Sequence, residues 1–573
     1  MRYQWTLKNV ASPSKVQALQ KSLSIPESLC HLLVQRGVET FEQAREFFRP
    51  QLSHLHDPFL MHDMAKAVQR IEEAKAQGER IMIYGDYDVD GTTAVALLYS
   101  FLRKHYAELC TYIPDRYKEG YGVSLAGIDF AHDNEVGLII ALDCGIKALD
   151  QVNYAREKGI DFIICDHHRP GKRLPAAKAI LNPKKEVCNY PYKELSGCGV
   201  GFKLVQALCK NWQLPQEEWL PLLDLLAVSI GADIVPITGE NRVLAFYGLK
   251  LINENPRLGL KSLIELARRD QAPLTITDVV FLLGPRINAA GRIEHGSLAV
   301  EMLSGTDVQQ VERVCEKVNS LNQERKELDR SITEAALKSL ENPEELQRKS
   351  TVVFDAHWHK GVIGIVASRL TETHYRPTVV FTESNGVLAG SARSVKGFDV
   401  YEALNDCSDV LEQFGGHKYA AGMTLQPQRF EEFKTRFEQA VTKRITPDQL
   451  IPKINADLEL NFSEISESFY RILKQFAPFG PLNLAPTFIT KNLQDCGCKR
   501  VGADLSHLRF QLKEPSSGIT LNGIGFGMGA KLEELQQAGS IAVAFHLEEN
   551  TFNGRTTLQL KVLDTLPSEK VNV

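Results

Sequence analysis

Three aspartates at alternate positions directly follow an apolar run: Ile81-Met82-Ile83 leads into Tyr84-Gly85-Asp86-Tyr87-Asp88-Val89-Asp90-Gly91. Two more apolar runs end in acid. Ile139-Ile140-Ala141-Leu142 meets Asp143, and Phe162-Ile163-Ile164-Cys165 meets Asp166-His167-His168. A fourth acidic element is Gly231-Ala232-Asp233-Ile234-Val235-Pro236. One such turn alone would be a solvated loop. Repetition changes the reading, because open α/β sheets expose their functional groups at the carboxyl ends of strands. Carboxylates buried near one another are costly without cations. Oxygen ligands joined by imidazole suit Mg2+ or Mn2+. A calcium loop would carry further acids or amides up to a late Glu, whereas Thr92-Thr93-Ala94 begins a helix here. No Ser or Cys stands in a nucleophile elbow.

The elements that position these acids follow a βαβ rhythm. Helices are predicted over 64–77 and 92–105, and short strands near 110–113, 137–142 and 161–165, which implies a mostly parallel sheet. The run 222–228 reads as a buried helix leading to Asp233. Apolar residues recur at helical spacing from Val308 to Ala335, with Arg325 interrupting the seam, and predict a long amphipathic helix; a dimer coiled coil is the alternative, and the seam arginine favours a connector packed along its own domains. A further unit has strands at 352–354 and 378–381 and a glycine-rich stretch around Phe414-Gly415-Gly416-His417. Beyond 451 the alternation is β-like, as in Thr557-Leu558-Gln559-Leu560-Lys561-Val562, and fits a small antiparallel barrel or a sandwich. The expected division is a lead-in over 1–50, a catalytic domain over 51–300, a connector helix over 301–345, a second α/β domain over 346–450 and a terminal β-domain over 451–573.

A chain of 573 residues exceeds one ordinary core. A net charge of −5 argues against a uniformly basic nucleic-acid wrapper, but leaves room for a local basic channel. The first residues show no apolar leader, and no window nears the roughly 20 apolar residues of a membrane span. The eleven scattered cysteines read as reduced cytoplasmic thiols. Cys496-Gly497-Cys498 lacks the second close pair that zinc requires. Gly197, Gly199 and Gly201 lack the context of a dinucleotide fingerprint and point to tight helix–sheet packing.

The acidic set closely resembles the DHH phosphoesterase superfamily, and more closely the RecJ family of single-strand-specific exonucleases. The matching motifs are Gly85 to Gly91, Leu142-Asp143-Cys144-Gly145, Asp166-His167-His168 and Ala232 to Pro236. Two more are Gly284-Pro285-Arg286-Ile287-Asn288-Ala289-Ala290-Gly291-Arg292 and Gly415-Gly416-His417-Lys418-Tyr419-Ala420-Ala421-Gly422. The resemblance implies an α/β fold: a mostly parallel-sheet DHH domain, a DHHA1-like second domain on a long helix, and a C-terminal OB-like barrel. It implies two Mg2+ or Mn2+ ions held by Asp88, Asp90, Asp143, His167 and Asp233, with Asp143 as the bridge. His168 is implied as a contact to the scissile phosphate, or else as the orienter of His167. Related phosphatases carry a histidine ligand where this chain has Tyr84, and the role of Asp86 stays open.

The resemblance further implies that Arg116, Arg292, Ser391 and Arg393 grip the 5′ end of a strand, with His417 facing substrate and Arg286 either beside them or bracing its motif. Tyr117, Tyr121 and Phe414 serve either as stacking platforms or as core. Arg509, Asn553, Gly554 and Arg555 are expected near the barrel's binding surface. The implied activity is metal-dependent 5′-to-3′ hydrolysis of single-stranded DNA in recombination and repair, by a cytoplasmic monomer with no membrane contact and a single-strand-binding protein as partner. The alternatives are a phosphodiesterase of cyclic dinucleotides or very short oligonucleotides, and a non-catalytic single-strand binding module.

Overall fold

A computed structural model describes residues 3–9, 12–267, 273–552 and 554–571. Five strands form an all-parallel sheet in the spatial order Leu109–Tyr112, Arg80–Gly85, Val136–Leu142, Asp161–Cys165, Ala179–Leu181. Their near-continuous apolar runs follow from burial on both faces. Ile81, Ile83, Leu138, Ile140 and Leu142 enter one core, while Met82, Tyr84, Ile139 and Ala141 enter the other. The strand order by sequence is 2-1-3-4-5. The winding therefore reverses between Arg80–Gly85 and Val136–Leu142, where a crevice opens at the carboxyl ends. Asp86 and Asp143 follow those two strands directly.

The predicted helix at 64–77 is Met64–Gln77, but the one read as 92–105 is Val89–Leu102. It starts early because the Asp88 side chain accepts the Gly91 N–H and caps it. The buried helix leading to Asp233 is Leu223–Ala232. The connector is a single helix, Val308–Ser339, with its Arg325 buried beside Asn322 and Asp329. Arg369 of the second domain clamps the same Asp329 with two bonds of 2.8 Å. The seam arginine thus lies inside a contact between the helix and its own chain.

The second domain carries a five-stranded sheet in the order 413–417, 420–425, 387–393, 378–384, 351–354, antiparallel except for the last pair. The terminal unit settles the choice between barrel and sandwich. Its seven strands run 458–459, 488–495, 541–552, 555–567, 520–525, 507–513, 499–501, and the pairing of Gln494 with Lys513 and Asp495 with Leu512 closes them.

The lead-in is tied to the chain's far end. Val16, Leu19, Leu29, Leu32 and Leu33 share a core with Phe469, Phe488, Phe510 and Phe545 of the barrel. Gln4–Leu7 pairs in parallel with Lys453–Ala456. Arg242, in the helix after Asp233, joins all three units. Its guanidinium lies 3.9 Å from the Phe47 ring and donates to the carbonyls of Phe47, Phe476 and Ala477 at 2.9, 2.9 and 3.0 Å. Replacing Arg242 with Met leaves those carbonyls without this donor. The expected loss is about 3 kcal/mol, since each unpaired buried acceptor costs roughly 1–3 kcal/mol. A lowered urea midpoint and faster proteolysis between 445 and 451 would report it; unchanged melting would show that the clasp carries no stability.

Candidate metal centre and end pocket

His167 organises the cleft. Its Nδ1 lies 3.0 Å from the Leu195 carbonyl, which can only accept, so the proton sits on Nδ1 and Nε2 presents a lone pair. That Nε2 has no hydrogen-bond partner and faces three carboxylates: Asp143 at 3.3 Å, Asp233 at 3.6 Å and Asp90 at 3.8 Å. Asp143 Oδ1 is also unpartnered. Two sets of potential ligand atoms, Asp143–His167–His168 and Asp90–His167–Asp233, each lie within 4.8 Å of one another. Three carboxylates around an unprotonated nitrogen repel one another unless cations lie between them, so the residues present fit divalent ions. Asp88 belongs to neither set; it is half-buried beside them, with one oxygen capping the helix.

Local folding dictates this convergence. The N-terminus of the helix Gly197–Asn211 is aimed at Asp90, whose carboxylate accepts the N–H groups of Gly197 and Cys198 at 2.6 and 2.8 Å. The Ser229 hydroxyl adds a third bond at 2.6 Å. A side chain at Gly197 would strike Asp143, so glycine is required there. Asp143 itself has φ +58°, a left-handed turn that an aspartate tolerates better than most residues and that swings its carboxylate off the strand axis. Sequence reasoning assigns the glycine series to packing alone and misses Ser229. The series is the available signal; Ser229, inside an apolar helix, offers none.

The flanking acids divide by role. Asp166 accepts from Ile146 N–H at 2.9 Å and from both the N–H and Nδ1 of His168, at 3.0 and 2.8 Å. It orients His168, which meets the His167 ring edge-on at 4.6 Å. Tyr84 points away from the centre. Its hydroxyl donates to Gly122 O at 2.8 Å and accepts from Ser124 N–H, and its ring stacks on Tyr112. Asp86 is buried with Oδ2 unpartnered, and Gly122 N–H reaches its other oxygen at 3.3 Å.

Burial and then the neighbouring acids push these carboxyls up: Asp86 to about 8, Asp233 to about 9, and Asp88 and Asp143 upward as well. Burial lowers His167. Burial also pulls His168 down, but the bond to Asp166 together with the charges of Asp166, Asp90 and Asp88 outweighs it and leaves the imidazole raised.

Across the cleft three guanidinium groups gather. Arg116 lies over the Tyr87 ring at 4.1 Å with its Nε unpartnered. Arg292 donates to Gly361 O at 3.0 Å, and its own carbonyl accepts from the Tyr117 hydroxyl. Arg393 donates to Ser391 Oγ at 3.1 Å and to Ala392 O at 2.7 Å. Burial, then the charges of Arg116 and Arg393, pull Arg292 down to about 9. Like charges held together this way attract an anion. Gly364 lines it: a side chain there would come within 2.9 Å of Arg393 Nη2 and 3.0 Å of Ser391 Oγ. His417 is exposed on the sheet's edge strand, in register with Ala420 and, one strand further, Arg393.

The remaining candidates fall elsewhere. Arg286 is bonded to Asn319 and the Leu282 carbonyl and braces the connector. Phe414 packs on Tyr401. Arg509, Gly554 and Arg555 are exposed on the barrel, and Asn553 lies outside the described residues. Among the described residues no helix is long and apolar enough to cross a membrane.

Comparison with known proteins adds three family matches: the DHH family N-terminal domain over residues 80–230, the DHHA1 domain over 348–443 and the RecJ OB domain over 456–564. The single-stranded-DNA-specific exonuclease RecJ of Bacillus subtilis (strain 168) is 38% identical, across 97% of this chain and 70% of that protein. The crystal structure of RecJ from Thermus thermophilus in complex with Mn2+ matches with TM-score 0.85 and 27% identity, over 99% of this chain and 80% of that one. Its Mg2+ complex matches with TM-score 0.79 and 26% identity, over 98% and 78%.

The raised carboxyls fix the sign of the pH response. A carboxyl lifted above its ordinary range holds its proton in the folded state, so the metal-free chain loses stability as pH rises from about 4 through about 8 to 9. Cations must displace those protons. Titration with Mn2+ at pH 7, in two buffers of different ionisation enthalpy, is expected to show release of about one proton or more, fading by pH 9.5. A buffer-independent heat at pH 7 would contradict the shared acidic site.

Proposed function

The chain belongs to the RecJ family of single-stranded-DNA-specific exonucleases, and from that premise we propose that its cleft hydrolyses the phosphodiester next to the 5′ end of a single DNA strand. The activity is a metal-dependent exonuclease acting on single-stranded DNA. The observation that carries the reading is the unpartnered Nε2 of His167 facing three carboxylates, with an arginine pocket across the same cleft. Asp90, Asp143, His167 and Asp233, with Asp88 beside them, would hold two Mg2+ or Mn2+ ions. When bound, such ions acidify water and neutralise charge gathering on phosphorus and the leaving oxygen.

The protein's own groups do the rest. Asp143, 3.3 Å from His167 Nε2 and with Oδ1 unpartnered, would be the shared ligand. His168, fixed through Nδ1 by Asp166, sets its Nε2 3.1 Å from the Tyr121 hydroxyl, and a phosphate would share that nitrogen's N–H. Arg116, Arg292, Ser391 and Arg393 receive the terminal phosphate, so the distance between pocket and cluster sets where the chain is cut and gives 5′-to-3′ polarity. His417 contributes from the same sheet row.

Among the described residues, the hydroxyls and thiols around the cluster are held by other groups or kept protonated. Around the cluster, Ser229 bonds to Asp90, Ser196 to Ser229, and Thr92 and Thr93 to helix carbonyls. Burial raises the thiols of Cys144, Cys165 and Cys198, which keeps them protonated. Water is therefore the nucleophile. The matched barrel supports a long strand over a cyclic dinucleotide. That none of the eleven cysteines is joined to another fits a cytoplasmic protein. Monomeric action beside a single-strand-binding protein rests on family resemblance.

Asp143→Ala should abolish turnover in Mg2+ and in excess Mn2+ while the fold persists; near-normal rates from a homogeneous sample would remove its bridging role. Arg393→Ala should lower kcat/KM on a 5′-phosphorylated strand at least about tenfold more than on a 5′-hydroxyl strand, from loss of a charge-assisted bond worth about 1.5–3 kcal/mol. Lysine should restore only part, because it lacks the planar fork. Equal slowing on both strands would make Arg393 a general backbone contact.

A further inference from the structure

An unbroken line of side chains joins the end pocket to the second histidine of the Asp166-His167-His168 motif. Arg116 lies over the Tyr87 ring at 4.1 Å. Tyr87 meets the Tyr121 ring edge-on at 6.2 Å. The Tyr121 hydroxyl is 3.1 Å from His168 Nε2, and His168 Nδ1 is 2.8 Å from Asp166. The backbone repeats the connection, since Arg116 and Tyr121 sit on one loop. Glu119 buckles it by accepting from the Asp115 N–H at 2.8 Å, the Tyr112 hydroxyl at 2.9 Å and the Ser124 hydroxyl at 2.5 Å. Asp115 accepts the N–H groups of Tyr117 and Lys118. Gly120 and Gly122 flank Tyr121 at φ +85° and +86°, a conformation that carries the tyrosine outward over the cleft. Gly122 is pinned in turn by Tyr84 and Asp86.

Tyr121 is 58% exposed, yet its one polar atom is engaged with His168. A tyrosine placed only to stack on a base would not need that bond. His168 is the less secured of the two histidines: its side chain is 43% exposed, and Asp166 and Tyr121 are the two groups that hold its ring nitrogens. Asp166 fixes one side of the ring, so its tilt about that bond depends on Tyr121. Arg116 thus touches both the ring stack and the loop on which this tilt depends.

We propose that Tyr87 and Tyr121 are positioning residues that transmit occupancy of the Arg116 pocket by a strand's terminal phosphate to the orientation of His168, so that end recognition raises kcat and not binding alone. The inference rests on the exonuclease reading above. No atom of either tyrosine enters the reaction. The end group pulls on Arg116, the ring stack and loop settle, and His168 is presented to the phosphate in one orientation.

The test is a steady-state comparison of 5′-phosphorylated and 5′-hydroxyl single strands in Mn2+, using the full chain. Tyr121→Phe keeps the ring and any base stacking, and removes only the bond to His168. The wild type should turn over the phosphorylated strand with the higher kcat. In Tyr121→Phe that kcat should fall about tenfold or more, as for other residues that orient a catalytic-site histidine, with KM within about twofold. The kcat ratio between the two ends should collapse toward one. Tyr87→Leu, which leaves the Tyr121–His168 pair in place, is the second variant and should show the same collapse. Combining Tyr121→Phe with Arg116→Ala should cost less than the sum of the single effects. A rise in KM with kcat intact makes Tyr121 a base platform and overturns the proposal, as does an unchanged kcat ratio or strict additivity. A wild type that degrades both strands with equal kcat overturns the coupling and leaves the exonuclease reading standing. A wild type that degrades neither strand refutes both.

Discussion

Mutual repulsion among buried carboxylates is the constraint around which the catalytic domain is arranged. Asp90, Asp143 and Asp233 are brought to within 4 Å of one imidazole nitrogen, in surroundings that lift Asp143 and Asp233 well above their ordinary range. Water cannot relieve this charge in a buried setting, and cations can. Several local departures from regular structure serve that end. A helix N-terminus and a serine hold Asp90, a left-handed turn redirects Asp143, and a glycine lets a helix approach where a side chain would collide. The parallel sheet contributes the crevice at its point of reversed winding, so the acids converge without any long loop.

The same domain faces a second like-charge cluster of opposite sign. Arg116, Arg292 and Arg393 come from different parts of the chain, and the position of the second domain decides whether they meet. That position is set by the connector helix, whose buried Asp329 is clamped from the second domain. An anion that fits between acids filled by cations and a pocket of arginines must present its phosphates at the distance between them.

The barrel is more than an added binding surface. Its core is completed by helices from the opposite end of the chain, and Arg242 fastens both to the helix that follows Asp233. The Ile237 N–H donates to Pro481 O at 2.8 Å, so the loop just beyond the metal-facing acid is held by the terminal unit. The barrel and the acidic cleft therefore share a structural boundary.

Much of this was legible in the residues alone. Apolar runs ending in acid identified the strands of a parallel sheet and the crevice at their ends, because a doubly covered strand has no polar alternation to mask its boundary. Type and spacing marked out the acidic motifs that carry Asp90, Asp143, His167 and Asp233, the family resemblance singled those residues out as ligands, and a long apolar periodicity disclosed the connector despite Arg325. What sequence left undecided depends on groups distant along the chain. Asp88 and Asp90 are spelled alike, yet one caps a helix while the other is gripped by a helix more than a hundred residues away. Tyr84 opens an acidic motif and Tyr121 sits between two glycines, but only the fold turns one into core and sets the other on His168. The lead-in gave no sign that its apolar face belongs to the barrel. Periodicity and local charge are properties of a segment; the partner of a side chain is a property of the packed molecule.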